Sequence, residues 1–341
     1  MDPFATRRLG KTELQMPLFG YGGAPLGDLF TRITDTDAET MLNTAWDAGV
    51  RYYDTAPLYG WGQSEHRTGR CLYTKPREEV ILSTKVGRLL KAPINRSSFD
   101  GGMWSGGLRF NEIYDYSYDG IMRSYEDSLQ RLGMNKVDLL IVHDLDWRNH
   151  TTDASVDAYL VQLKTSGWRA LRELKESGEI AGIGAGVNDM GTMPRFLDLV
   201  DMDFFLVAAR YTLLDQDVLD EEFPQLEARD VGVIIGAPFG SGILATGAVP
   251  GAKYNYENAD DATMDRVRKI EAVCKRHNTP LIAASLQFVF GHSLVANVIP
   301  GAYNAEQVKS NLAHMSYEIP VDLWVELKHE KLLRADAPTP G

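Results

Sequence analysis

Eight short apolar, β-branched runs recur along the chain, each separated from the next by a longer stretch, and several of those stretches are amphipathic at helical spacing. The runs are Leu18–Tyr21, Val50–Tyr53, Val80–Thr84, Val137–Val142, Ile180–Gly184, Phe204–Val207, Val231–Ile235 and Ala296–Ile299. Strands that are apolar throughout and alternate with helices belong to a parallel sheet whose two faces are both covered. Eight of them predict a closed (β/α)8 TIM barrel, a fold that accommodates 341 residues in a single domain, 1–341. Between the runs, Ile121, Met122, Tyr125, Leu129 and Leu132 lie on one face of a helix over Tyr118–Leu132. Trp168, Leu171 and Leu174 do the same within Val161–Ser177. A further helix is expected to have Thr279 as N-cap and Pro280 at its first position, and to end at Gly291.

Two segments fit neither pattern. Leu89–Tyr116, rich in glycine and aromatic residues, interrupts the unit after the third run, and Ala248–Ala262 follows the seventh. Both are expected as long βα loops over one end of the barrel, where function concentrates.

The charge balance narrows the partners. With 35 Lys and Arg against 47 Asp and Glu, the net charge of −12 opposes binding to nucleic acid. Cys71 and Cys274 stand far apart, without zinc or redox spacing, and the seven histidines are scattered, so no metal site is expected. The beginning MDPFATRRLG has no apolar targeting core and no stretch is long enough to span a bilayer, which makes the cytoplasm the expected location.

In a barrel, polar residues just after strands converge on the catalytic face. Asp54 follows the second run, Tyr59 lies in the same loop, Lys85 ends the third and His143 the fourth. Singly, such residues serve as caps, surface charges or structural imidazoles. Together they suit the movement of a proton at oxygen while a hydride moves at carbon: Lys85 would favour the Tyr59 phenolate, Asp54 would hold Lys85, and His143 would hydrogen-bond the substrate oxygen.

The stretches RRLGKTEL, FGYGG, YDTAPLYGWGQSE, LSTKVG, SLQRLGMNKVDLLIVHD and IPGAYNAEQVKSN resemble the aldo-keto reductase superfamily over about residues 6–315. APLYGWGQSE, STKVGRLL and VHDLD are most similar to a branch of D-threo-aldose (L-fucose), L-galactose and pyridoxal dehydrogenases. The resemblance implies a (β/α)8 barrel, a nicotinamide cofactor and those roles for the four residues. It also implies oxidation of a cyclic hemiacetal, from a sugar or pyridoxal, to a lactone, with Tyr59 as the base.

No GxGxxG turn appears in the required strand-to-helix context. By resemblance the cofactor instead lies along Gly22, Asp54 and Asn188, the last reaching the carboxamide, although Val187 stands where the family often has Ser. APFGSGIL adds Pro238, Gly240, Ser241 and Gly242, whose small side chains admit a pyrophosphate to the backbone. NADP-preferring members commonly carry Lys after the Ile-Pro pair and Arg further on; here Gly301 and Gln307 occupy those places, which favours NAD over NADP, with Lys309 and Arg210 as the remaining cations in reach. Gln307 and Asn311 are candidates for ribose or adenine contacts. Trp61, Trp104 and Trp147, with the 89–116 loop, are expected to wall the substrate pocket. Two other readings are a cofactor-sensing regulatory subunit and a lyase or isomerase on the same barrel.

Overall fold

The computed structural model describes residues 1–95 and 99–341. Eight parallel strands form one sheet in chain order: β1 (Tyr21–Gly22), β2 (Tyr52–Asp54), β3 (Ile81–Val86), β4 (Leu139–His143), β5 (Gly182–Val187), β6 (Phe204–Ala208), β7 (Gly232–Gly236) and β8 (Val295–Ile299). The sheet closes on itself. Gly20 N donates to Val298 O at 2.9 Å and Val298 N to Leu18 O at 2.9 Å, joining the segment that enters β1 to β8.

Side-chain alternation explains how the barrel serves its site. Tyr52 in β2, Leu139 and Ile141 in β4, Phe204 and Leu206 in β6, and Ile234 in β7 meet in one inner cluster, while Tyr53, Leu140, Val142, Phe205, Val233 and Ile235 belong to the larger core under the helices. Because successive residues point to opposite faces, the inward set continues through Asp54 after Tyr52 and through His143 after Ile141. The same period in β3 puts Ser83 and Lys85 inward. Asp54, Lys85 and His143 thus reach the carboxyl end of the barrel interior by counting in twos, with Ser83 one step below Lys85.

Helix Tyr118–Leu132 has the expected bounds because both its ends are chemically marked. Ser117 Oγ accepts from Gly120 N at 3.1 Å, and Gly133 closes the helix at φ 63°. The expected helix Val161–Ser177 is instead two helices, Asp153–Gln162 and Trp168–Glu176, joined by a π-helical turn over Leu163–Gly167. The expected cap at Thr279 is displaced by one residue: Pro280 is the N-cap of helix Leu281–Phe288, and the Thr279 hydroxyl donates to His277 O. A short 3₁₀ turn then runs to Gly291.

The insertion is more ordered than a loop. Arg88–Lys91 pairs antiparallel with Asn111–Tyr114, forming a hairpin that rises from the end of β3. Residues 103–108, before the second strand of the hairpin, lie against the loops at the barrel mouth, where Phe30 N donates to Met103 O at 2.8 Å and Leu108 N to Gly60 O at 2.9 Å. The second segment forms a smaller hairpin, Lys253–Tyr254 with Glu257–Asn258, on the far side of the mouth. Among the described residues no helix is long and apolar enough to cross a membrane. Among them, too, no group of three or more His, Cys, Asp or Glu side chains is placed to hold a metal ion. Cys71 and Cys274 are buried and free.

Candidate active site

A cavity of about 250 Å³ opens at the carboxyl ends of the strands. Asp54, Tyr59, Lys85 and His143 all line it, although 89 residues separate the first from the last in the chain. The tightest contact is the Lys85 Nζ to Asp54 Oδ2 ion pair at 2.7 Å, with both side chains almost fully buried. Lys85 also donates to Thr55 O at 2.9 Å, and Ser83 Oγ donates to Asp54 Oδ1 at 2.7 Å. Ser83 is reached in turn by the Tyr52 hydroxyl at 3.0 Å, so each carboxylate oxygen has a donor and the pair is held rigidly.

Tyr59 comes from the loop after β2, and two glycines let that loop lie against the one after β1. A Cβ on Gly27 would sit 2.4 Å from Tyr59 C, and one on Gly60, itself at φ 62°, would sit 2.5 Å from Gly27 O. Only hydrogen-sized side chains allow this approach. The phenol ring that results has Lys85 Nζ 4.6 Å from its centre, the His143 ring at 5.9 Å edge-on, and the Trp104 ring at 5.6 Å. Tyr59 lines the cavity and, among the described residues, its hydroxyl has no hydrogen-bond partner, which leaves it for a substrate oxygen.

In the free protein the surroundings of Tyr59 favour the neutral phenol. Withdrawal from bulk water raises the Tyr59 pKa well above that of a free phenol, and the Asp54 and Asp144 carboxylates and the neighbouring Tyr256 push it the same way. The ammonium of Lys85 is matched by Asp54 at 2.7 Å, so little positive potential is left over for the phenol. Tyr59 is therefore a neutral proton donor in the free protein. His143 is held well below its ordinary pKa, first by burial and then by the nearby charges of Arg88 and Lys85, and is a neutral imidazole at pH 7.

Two residues with no expected role complete this end of the cavity. Arg88, one residue past a turn from β3, is fully buried and pairs with Glu112 at 2.6 Å and with Asp144 at 3.0 Å. Asp144 follows His143 directly and lies 3.3 Å from its Nε2. Burial raises the Asp144 pKa to about 6 against the pull of Arg88. Neither residue stands out in sequence, because an arginine or an aspartate near a strand end is usually solvated; only the adjacency of Asp144 to His143 offered a signal.

The expected cofactor residues divide into two groups. Gly22, Asn188, Pro238, Ser241, Gly242 and Gly301 line the same cavity as the four catalytic candidates. Gly240 does not, and the amides of Gly240 and Gly242 are used inside the turn by Ala237 O and Phe239 O, whereas the Ser241 amide has no acceptor among the described residues. Gln307 and Asn311 stand behind the wall. Gln307 accepts from Tyr303 N at 2.8 Å and Asn311 donates to Gly301 O at 3.3 Å, so both brace wall residues. At Asn188 the Nδ2 group donates to Asp144 and Asp146, each at 3.0 Å, leaving its Oδ1 as the free acceptor. Ser241, Gly301 and Tyr303 line the same cavity as this side chain and the four catalytic candidates. A cavity that brings a carboxamide acceptor and a backbone N–H without an acceptor among the described residues together with the acid–base group fits a nicotinamide dinucleotide.

Of the three tryptophans, Trp104 alone lines the cavity, through the hairpin tip. Trp61 is behind it, packed on Phe99 at 4.8 Å and Trp104 at 6.5 Å. Trp147 points elsewhere, donating to Asp153 at 2.6 Å under the guanidinium of Arg195. The other walls are Leu29, Phe30, Leu58 and Met103, with Arg148 stacked 4.6 Å over Tyr256 at the opposite rim.

Comparison with known proteins is consistent with this site. The pattern of the Aldo/keto reductase family matches residues 19–329, which is most of the chain. The chain belongs to the aldo/keto reductase family. It is an oxidoreductase of that family and shares the family's use of a nicotinamide cofactor. A pyridoxal 4-dehydrogenase from Microbacterium luteolum is 38% identical over 337 residues, covering 96% of this chain and 97% of that one. A D-threo-aldose 1-dehydrogenase from a Pseudomonas species is 36% identical over 337 residues, with 96% of each covered. Among solved structures, an aldo-keto reductase from Bacillus halodurans in its holo form superposes with a TM-score of 0.73 at 25% identity over 98% of both chains.

Proposed function

We propose that the protein oxidises a cyclic hemiacetal, either an aldose at its anomeric carbon or pyridoxal, to the corresponding lactone, with NAD as oxidant. The observation that carries this reading is the juxtaposition of the Tyr59 phenol, the Lys85–Asp54 pair and the His143 imidazole on one cavity wall. The two relatives above are named for pyridoxal and for D-threo-aldoses, and both compounds exist largely as cyclic hemiacetals.

When bound, the nicotinamide supplies the hydride acceptor. Tyr59, as phenolate, takes the proton from the hemiacetal hydroxyl as the carbon becomes a lactone carbonyl, and in the reverse direction the neutral phenol returns it. His143 hydrogen-bonds the same oxygen and fixes its direction. Lys85, locked to Asp54 and Thr55, sets a fixed charge beside the phenol ring. Trp104 and Phe30 present apolar surface on which a sugar or pyridine ring stacks.

NAD is preferred because the places that carry cations in NADP-preferring members are held by Gly301 and Gln307, while Arg148 on the cavity wall is stacked over Tyr256. Gly301 leaves no room for a lysine, since a Cβ there would lie 2.7 Å from Pro25 Cγ. Gln307 is neutral, Lys309 is paired with Glu306 at 3.0 Å, and Arg210 is engaged by the Asn188 carbonyl and Asp189. A panel of L-fucose, L-galactose, other D-threo-aldoses and pyridoxal, run with NAD and NADP in parallel, tests the whole reading. Turnover to lactone is expected with at least one member, with kcat/KM about tenfold or more higher for NAD, the scale of one lost hydrogen bond to a charged group. Tight NAD binding without turnover on any hemiacetal would sink it and leave the cofactor-sensing role.

A further inference from the structure

Asp144 sits where several functional side chains meet. Its backbone takes the left-handed conformation, φ 43°, and its carboxylate lines the cavity between His143 and Asn188. Oδ2 receives Arg88 Nη2 at 3.0 Å and lies 3.3 Å from His143 Nε2, and Oδ1 receives Asn188 Nδ2 at 3.0 Å. Arg88 cannot drift away. Its guanidinium is also held by Glu112 at 2.6 Å, by Asn149 Oδ1 at 2.9 Å and by the Tyr114 hydroxyl at 3.3 Å.

This arrangement decides where the His143 proton resides. The ring is neutral, and its Nδ1 is buried with no partner among the described residues. With the proton on Nδ1, a buried donor would be wasted and the bare Nε2 would face a carboxylate oxygen. With the proton on Nε2, the N–H dipole lies beside the carboxylate and only an acceptor is left unpaired. The first alternative adds a lone-pair repulsion to an unmet donor, so the second prevails. At 3.3 Å the Nε2 contact is longer than the roughly 2.7–2.9 Å of a strong charge-assisted bond, so the carboxylate biases the N–H without consuming it and leaves it available to an arriving substrate oxygen. The same carboxylate, with Asp146, takes both Nδ2 protons of Asn188 and so prevents its amide from flipping.

We propose that Asp144, anchored by Arg88, is a positioning residue that keeps the His143 proton on Nε2 and the Asn188 carbonyl free, so that one carboxylate orients both the substrate-oxygen and carboxamide ends of the site. This deepens the proposed reaction and rests on His143 as hydrogen-bond partner of the substrate oxygen. The test is nitrogen-15 NMR of histidine-labelled protein without nucleotide, with His143 assigned among the seven histidines by its loss in His143→Gln. Wild-type protein is expected to show the Nε2–H tautomer. Asp144→Asn offers one acceptor where two are needed, so a shift toward Nδ1–H is expected, with kcat lower by about ten- to hundredfold, the scale of a misplaced catalytic group, and KM changed less. An Nδ1–H tautomer in the wild type overturns the proposal even if the variant does not fold, and so does an Asp144→Asn protein that keeps the wild-type tautomer. The ring measurement needs no substrate, so its failure is distinguishable from a failure of the hemiacetal panel.

Discussion

Tyr59→Phe is expected to lower kcat by about a thousandfold, within the range attributed to positioned proton transfer, while the dissociation constant for NAD stays within about twofold. The variant removes one oxygen and nothing else. The ring still packs on Trp104 and next to His143, and the Lys85–Asp54 pair and the glycine contact between Gly27 and Gly60 are untouched. Because the hydroxyl has no hydrogen-bond partner among the described residues, its loss leaves none of their buried groups unsatisfied, and stability should be unchanged. Steady-state kinetics with the best substrate of the panel, and a fluorescence titration with NAD, read the two quantities separately. Turnover at the wild-type rate would remove the phenol from the mechanism.

Lys85→Met acts on stability as much as on rate. Taking one partner from a buried ion pair costs about 3–5 kcal/mol, because the other charge remains without compensation in a poorly solvated place. Here Asp54 would retain only the Ser83 hydroxyl at 2.7 Å, and Thr55 O would lose its donor. Denaturant unfolding at neutral pH should show the midpoint fall accordingly. Asp54→Asn should cost less, since the amide oxygen can still accept from Lys85. A loss below about 1 kcal/mol for Lys85→Met is what an exposed pair would give, and it would contradict the burial described for this site.

Much of the barrel was legible in sequence because parallel strands covered on both faces read as apolar runs. Their bounds moved for physical reasons. Val137 and Ile180 are apolar and buried yet precede the first paired residues, Leu139 and Gly182, because core packing begins before the ladder does. The expected run at β5 ends at Gly184, whereas the strand continues to Val187 and the Phe204 ring fills the space beside Gly184, 2.5 Å from where a Cβ would be. The π-helical turn at Leu163–Gly167 left no trace in the apolar spacing, and the hairpin from Arg88 to Tyr114 was hidden by the long, glycine-rich stretch between its strands.

At the site, Asp54, Lys85 and His143 were legible because strand ends have a fixed direction, and Tyr59 because its loop is short. Loop residues have no such periodicity. Phe30, Met103, Arg148 and Tyr256 reach the cavity through hairpin tips and turns that no local pattern encodes. Tryptophan illustrates the same point. Trp61, Trp104 and Trp147 are alike in sequence, yet only Trp104 was carried to the wall, and the others pack one layer behind it or beside Arg195. The polarity of the phenol was also beyond the sequence, since it depends on how completely Asp54 offsets Lys85.

The claim on which all of this turns is that Tyr59, and not an imidazole or a carboxylate, carries the proton. The pH dependence of the chemical step in hemiacetal oxidation tests it most directly. Only the deprotonated phenol can act as base, and its pKa lies well above 10, so the rate should rise about tenfold per pH unit from 7 to 9 without levelling off. A plateau reached near pH 6, where Asp144 titrates, or near the ordinary histidine range would assign the proton transfer to another group and contradict the account.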